Sequence, residues 1–203
     1  MTKPDRQAAA RAIDDFLRAI GRDAKEEPNL AGTGARVADA YIDELCAGYA
    51  VDVPALLAQN AIATGGGASE GGSEIVSVRD IAVTTMCPHH LLPGEGRATV
   101  VFAPGAGGTL VGIGAIVKLV DAFAHRLTLQ ETIGEEVAGA LVAHLKAKWA
   151  GCRLTMAHAC MSARGERRHG ARVESVALRG TLDERERDLA YRALGVGAVG
   201  GGT

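Results

Sequence analysis

Residues 74–93, EIVSVRDIAVTTMCPHHLLP, decide how the rest of the chain is read. Val76 and Val78 share one face of an extended run, while Ile81, Val83 and Thr85 alternate one residue out of phase. Side chains of a strand alternate between faces, so a single slip of phase predicts one strand with a β-bulge near Arg79–Asp80. Cys87 keeps the parity of Ile81 and Val83 and so closes the strand on its apolar side. Behind it stand two adjacent histidines, Cys87-Pro88-His89-His90, where either alone would serve as a metal ligand.

Downstream, GRATVVFAPG (96–105) reads as a second strand with Ala98, Val100 and Phe102 on one face, ended by Pro104 and a Gly-rich turn. Residues 115–126 read as a helix. Thr128 to Glu131 has capping-box spacing and opens a longer helix with Ile133, Val137, Ala140, Leu141 and Leu145 on one side. Strands are expected at 152–164 and 172–179, and Thr181 with Glu184 suggests a last capped helix. The order strand, strand, helix, helix, strand, strand predicts an α+β fold, with helices on one face of an antiparallel sheet.

Upstream lies a helical arm. Ile13, Phe16, Leu17 and Ile20 recur at helical spacing, EEPNLAGTGA breaks the pattern, and Thr33 is placed to cap a second helix running to about Gly48. Cys46, beside the stripe formed by Val37, Tyr41, Ile42 and Leu45, reads as a near-core thiol. The organisation expected is a helical arm at 1–62, a Gly-rich loop at 63–74, an α+β domain at 75–194 and a flexible tail at 195–203. The 203 residues are 47% apolar but only 3% aromatic, so packing rests on Ala, Val, Leu and Ile. A net charge of −2 offers no global attraction to nucleic acid or anionic membrane. No 18-residue apolar run or secretory leader is evident, and the expected address is the cytoplasm, where the four cysteines act as thiols or metal ligands.

On the strand expected at 152–164, Met156, His158, Cys160, Ser162 and Arg164 project from one face, so His158 and Cys160 address the same volume. Cys87 and His90 have a spacing suited to a strand end folding around zinc. Thiolates with imidazoles prefer zinc. The candidates Cys87, His89, His90, His158 and Cys160 are one too many for a four-ligand structural site. A catalytic site keeps fewer ligands: two cysteines and one histidine would hold the metal and leave two histidines as bases.

With these residues the chain resembles the GTP cyclohydrolase I family, through CPHHLLP, RLTLQE and AHACMSARG in that order, over about Arg36 to Gly180. The resemblance implies a tunnelling-fold core of ββααββ pattern and a homodecamer of two facing pentamers. It implies Zn2+ held by Cys87, His90 and Cys160, with His89 and His158 moving protons. Gln130 and Glu131 would hold the guanine, although Glu131 also suits the capping box with Thr128. The implied reaction is hydrolytic opening of the imidazole ring of GTP, releasing formate and giving 7,8-dihydroneopterin triphosphate for folate, biopterin-type or specialised pterin synthesis.

The departures from the family fall on phosphate binding. Arg36 and Arg164 stand where the family has phosphate-binding arginines, but Asp39 replaces a lysine, Gly114-Ala115 replaces Ser-Lys and Lys118 replaces an arginine. Gly170, Ala171 and Val173 replace polar residues, and Pro88 stands where glutamate is usual. Arg167, Arg168, His169 and Arg172 form either a substitute cradle or a solvated hairpin. The alternatives are a zinc purine hydrolase acting on a different or less phosphorylated guanine nucleotide, and a non-catalytic zinc-stabilised oligomeric module.

Overall fold

The computed structural model describes residues 3–63, 74–165 and 167–196. The Gly-rich loop expected at 63–74 and the tail at 195–203 therefore fall almost wholly outside the described residues. The strands are β1 (Ala61–Ala63), β2 (Val76–Met86), β3 (Pro93–Ala103), β4 (Thr109–Val111), β5 (Trp149–His158) and β6 (Val173–Gly180). The helices are α1 (Arg6–Ala19), α2 (Thr33–Ala40), α3 (Val53–Gln59), α4 (Ile113–Ala124), α5 (Gln130–His144), α6 (Ala159–Ser162) and α7 (Glu184–Leu194). Strands β2-β3-β5-β6 form one antiparallel sheet, and β1 pairs with β4 in a second. The core thus follows the expected ββααββ order of the tunnelling fold, with α4 and α5 between its strand pairs.

The phase slip in the opening stretch is a bulge. Val78 pairs with Val100, Ile81 pairs with Ala98, and the register shifts between them. Asp80 takes a left-handed φ of 56°, and its carbonyl accepts a hydrogen bond from Arg97 Nη1 at 3.0 Å. The extra residue returns Ile81 and Val83 to the core face, where Ala98, Val100 and Phe102 meet Ile116, Leu119, Ile133, Val137 and Leu141 from α4 and α5. Burying each such side chain stabilises the fold by roughly 1.5–3 kcal/mol. The opposite face of β3 is also covered at one end, where Val101 and Ala103 pack with Trp149 against Ala190, Ala193 and Leu194 of α7.

Several local expectations are corrected. The second helix does not run to Gly48: α2 ends at Ala40 and passes into a wide π turn at Tyr41–Leu45 and a 3-10 turn at Ala47–Ala50. Its N-cap is Gly32 in a left-handed conformation, and Thr33 instead accepts from Arg36 Nη2. The Thr128–Glu131 capping box does not form; Leu129 is the N-cap of α5 with no side-chain bond. The cap of α7 is Asp183 with Glu186, two residues beyond Thr181 and Glu184. The strand expected at 152–164 stops at His158 and turns into α6. Helix α3, capped by Asp52, was unforeseen, as were β1 and β4; Val53 and Leu57 of α3 belong to the same core as the sheet. Among the described residues, no helix is long and apolar enough to cross a membrane.

Candidate metal centre and its surroundings

Three connections converge at one end of the sheet. The first follows β2, where Cys87 N–H donates to Leu92 O at 3.0 Å and Leu91 N–H donates to Cys87 O at 2.9 Å. This double closure, with Leu91 at a left-handed φ of 52°, folds Pro88-His89-His90 into a tight loop and turns His90 back towards Cys87. Tyr41 O–H braces the loop from the arm by donating to Leu91 O at 3.0 Å. The second connection, between α4 and α5, is tied to the end of β2 by Thr128 N–H donating to Met86 O at 3.3 Å. The third is the turn from β5 into α6.

The donor atoms of Cys87, His90 and Cys160 lie within 4.8 Å of one another. Cys87 Sγ is 3.8 Å from His90 Nδ1. Zinc bound tetrahedrally to sulfur and nitrogen would hold such donors roughly 3.5–3.8 Å apart, as its bond lengths dictate. The set therefore fits zinc in donor chemistry, and the Cys87–His90 separation fits it in spacing. The change from strand to helix at His158 matters here: Cys160 reaches the cluster from α6 and not from the strand face the sequence suggested. Burial, and then the neighbouring Cys87, push the Cys160 thiol above its ordinary range. Of the other cysteines, Cys152 is buried in the core, where burial pushes its thiol up to about 12, and Cys46 is half-buried at the end of the π turn.

His158 ends β5, and its Nε2 lies 2.8 Å from Oε1 of the buried Gln130. The amide nitrogen of Gln130 donates towards Leu154 O (3.2 Å), Val173 O (3.1 Å) and Ser175 Oγ (3.0 Å). With its nitrogen among these acceptors, Gln130 can present only its oxygen to His158. Nε2 of His158 is therefore the donor of this bond, and in the neutral ring Nδ1 keeps the lone pair. Gly94 stands opposite His158 in the sheet, and a Cβ there would sit 2.9 Å from Nδ1. The glycine keeps that nitrogen clear.

The remaining expected residues are placed as follows. His89 is exposed, with its ring edge-on to His90 at 6.3 Å between centroids. Glu131 is exposed at the start of α5 and is released from the capping role by the failure of the box. Gln130, its neighbour, is spent on His158 and three backbone or hydroxyl acceptors. Arg164 Nη1 lies 2.8 Å from His90 Nε2. Arg36 folds back on its own helix start, donating to Ala31 O at 2.8 Å and Thr33 Oγ1 at 3.0 Å. Lys118 is not brought to the cluster; it lines a separate cavity of about 200 Å³ with Asp121 and His125. Asp39, in the position of the missing lysine, pairs with Arg6 of α1, which also holds Asp43 at 2.7 Å. Two residues that adjoin the candidate site escaped the sequence reading, Tyr41 and Gly94, because both act across long separations in the chain.

An α+β core that gathers two thiols and an imidazole could hold a metal ion at this end of the sheet. Comparison with known proteins makes this specific. The profile of the GTP cyclohydrolase I family matches residues 9–194. The chain is 38% identical to GTP cyclohydrolase 1 of Corynebacterium glutamicum over 176 residues, covering 87% of this chain and 85% of the relative. It is 36% identical to GTP cyclohydrolase 1 of Mycobacterium leprae over 195 residues, covering 96% and 89%. Among solved structures, the apo form of the archaeosine synthase QueF-Like overlays with a TM-score of 0.44 and 18% identity, covering 56% of this chain and 99% of that one. The chain belongs to the GTP cyclohydrolase I family and is an enzyme of that type.

Proposed function

We propose that this enzyme uses zinc to open the imidazole ring of the guanine of GTP by hydrolysis, releasing formate and yielding 7,8-dihydroneopterin triphosphate. The single observation that carries the proposal is the convergence of Cys87, His90 and Cys160 with two histidines to spare. Zinc held by those three donors would supply the Lewis acidity that activates water to attack the ring carbon. His158, with its hydrogen on Nε2, offers Nδ1 as the proton acceptor, and Gln130 acts as its positioning residue. His89, exposed on the same loop, is the second proton carrier. Glu131 recognises the guanine edge, since a carboxylate accepts two parallel N–H bonds, and Arg164 meets the phosphates. The proposed working form is a cytoplasmic homodecamer of two pentamers, with 1–62 as an arm and 75–194 as the catalytic domain, serving pterin or folate synthesis.

The test is zinc-loaded protein incubated with GTP while formate and the oxidised, fluorescent neopterin are followed together. Appearance of both is expected. Formate alone would overturn the stated product, and neither would overturn GTP as substrate. Chelation should abolish turnover and zinc should restore it. A second reading, a less phosphorylated guanine nucleotide, is favoured by the state of the cradle: Asp39 is held by Arg6, Arg36 is folded back, and Lys118 faces another cavity. Faster turnover of GMP or guanosine than of GTP would establish it.

A further inference from the structure

We propose that Arg164 and the metal compete for His90, so that loading the metal releases Arg164 to bind the phosphate anion. This inference rests on the metal site of the proposed function and adds a coupling within it. His90 Nδ1 is 3.8 Å from Cys87 Sγ and faces the donor cluster. The other ring nitrogen, Nε2, is 2.8 Å from Arg164 Nη1. A guanidinium only donates and does not lose its proton. Nε2 must therefore accept, and the hydrogen of the neutral ring sits on Nδ1, pointing to the sulfur of Cys87.

A metal needs the Nδ1 lone pair. The ring hydrogen must then sit on Nε2, where it faces the hydrogen of Arg164, donor against donor. The imidazole is neutral before and after; its hydrogen has changed nitrogen by exchange with water. The hydrogen bond between Arg164 and His90 is thus incompatible with metal on Nδ1. Arg164 is exposed on the turn after α6, so the released guanidinium is free to take an anion in its fork of donors. Coupling of this kind is reciprocal: if metal favours the anion, the anion favours the metal by the same factor.

The test compares the full-length protein with Arg164→Met, which keeps an apolar stem but loses the fork. Zinc affinity is measured by competition with a chromophoric chelator. The variant should bind zinc about tenfold more tightly, the worth of one lost competing hydrogen bond, and should do so at both low and high salt. A gain that vanishes at high salt would be plain charge repulsion and would overturn the proposal, as would an unchanged or weaker affinity. Calorimetry with inorganic triphosphate supplies the second arm. Triphosphate should bind the zinc-loaded protein about tenfold more tightly than the metal-free protein, and this preference should disappear in Arg164→Met. A preference kept by the variant would mean that the anion contacts the metal itself, overturning the coupling alone. Failure to bind zinc at all would overturn the proposed metal site and this inference together. A positive coupling without turnover of GTP would leave the inference standing and remove only the proposed substrate.

Discussion

Gly94 and Gly96 sit two residues apart on β3, yet a methyl group at each should fail differently. At Gly94 the added Cβ meets a side chain, His158 Nδ1 at 2.9 Å. Gly94→Ala should therefore turn the imidazole and lower kcat by about tenfold or more, a barrier change of about 1.4 kcal/mol, while the melting temperature hardly moves. At Gly96 the Cβ runs into backbone, Thr155 O and Met156 Cα. Gly96→Ala should destabilise the fold by about 1–3 kcal/mol, seen as a lower denaturant midpoint. His158→Ala should abolish turnover and keep bound zinc; loss of folding instead would favour a structural role for the site. Gln130→Leu should both slow turnover and destabilise by about 1–3 kcal/mol, because it strips His158, Leu154 O and Val173 O of a buried partner.

At the scale of the element, α7 is the clearest case of local chemistry serving the core. Asp183 accepts from Glu186 N–H at 2.8 Å, and Glu186 accepts from Asp183 N–H at 3.1 Å. Removing the cap with Asp183→Ala should cost about 1 kcal/mol in thermal unfolding. Glu186 also accepts from Lys148 Nζ at 2.6 Å, tying the helix to the start of β5. That contact holds the buried carboxyl below its ordinary value. Its contribution to stability is therefore complete above the unfolded carboxylate pKa of about 4.3 and is lost as pH falls through the depressed folded value. Glu186→Gln should flatten that part of the acid limb in a plot of melting temperature against pH. In the arm, α1 is held to α2 and the following π turn by polar contacts: Arg6 to Asp39 of α2 and Asp43 of the turn, and Gly34 N–H to Asp14 Oδ1 at 3.1 Å. Its apolar stripe buries nothing fully, and Phe16 and Ile20 remain 59% and 56% exposed.

At the scale of the molecule, one chain brings Cys87, His90 and Cys160 together but leaves one of the proposed phosphate-binding cations, Lys118, lining a different cavity. The proposed decamer would give a sedimentation mass near ten times that of the chain, and a monomeric mass would overturn it.

The sequence alone determined those features that depend on neighbours in the chain. The bulge at Arg79–Asp80 is legible because a strand has a period of two, and a slip of one residue shows in the pattern. The ββααββ order follows from alternating periods of two and near four. The candidacy of Cys87, His89, His90, His158 and Cys160 follows from donor chemistry, and the choice of Cys87, His90 and Cys160 among them from the family resemblance. Tertiary structure decided the rest. Whether β5 ends at His158 or runs on to Arg164 depends on where its partner β3 stops pairing, at Gly94 with His158, and no local propensity carries that information. The fate of Glu131 turned on whether Thr128 was drawn towards Met86 or left to cap α5. The role of Gln130 was hidden for the same reason: its partners lie 24 to 45 residues away, and a buried amide bonds to whatever the fold sets beside it.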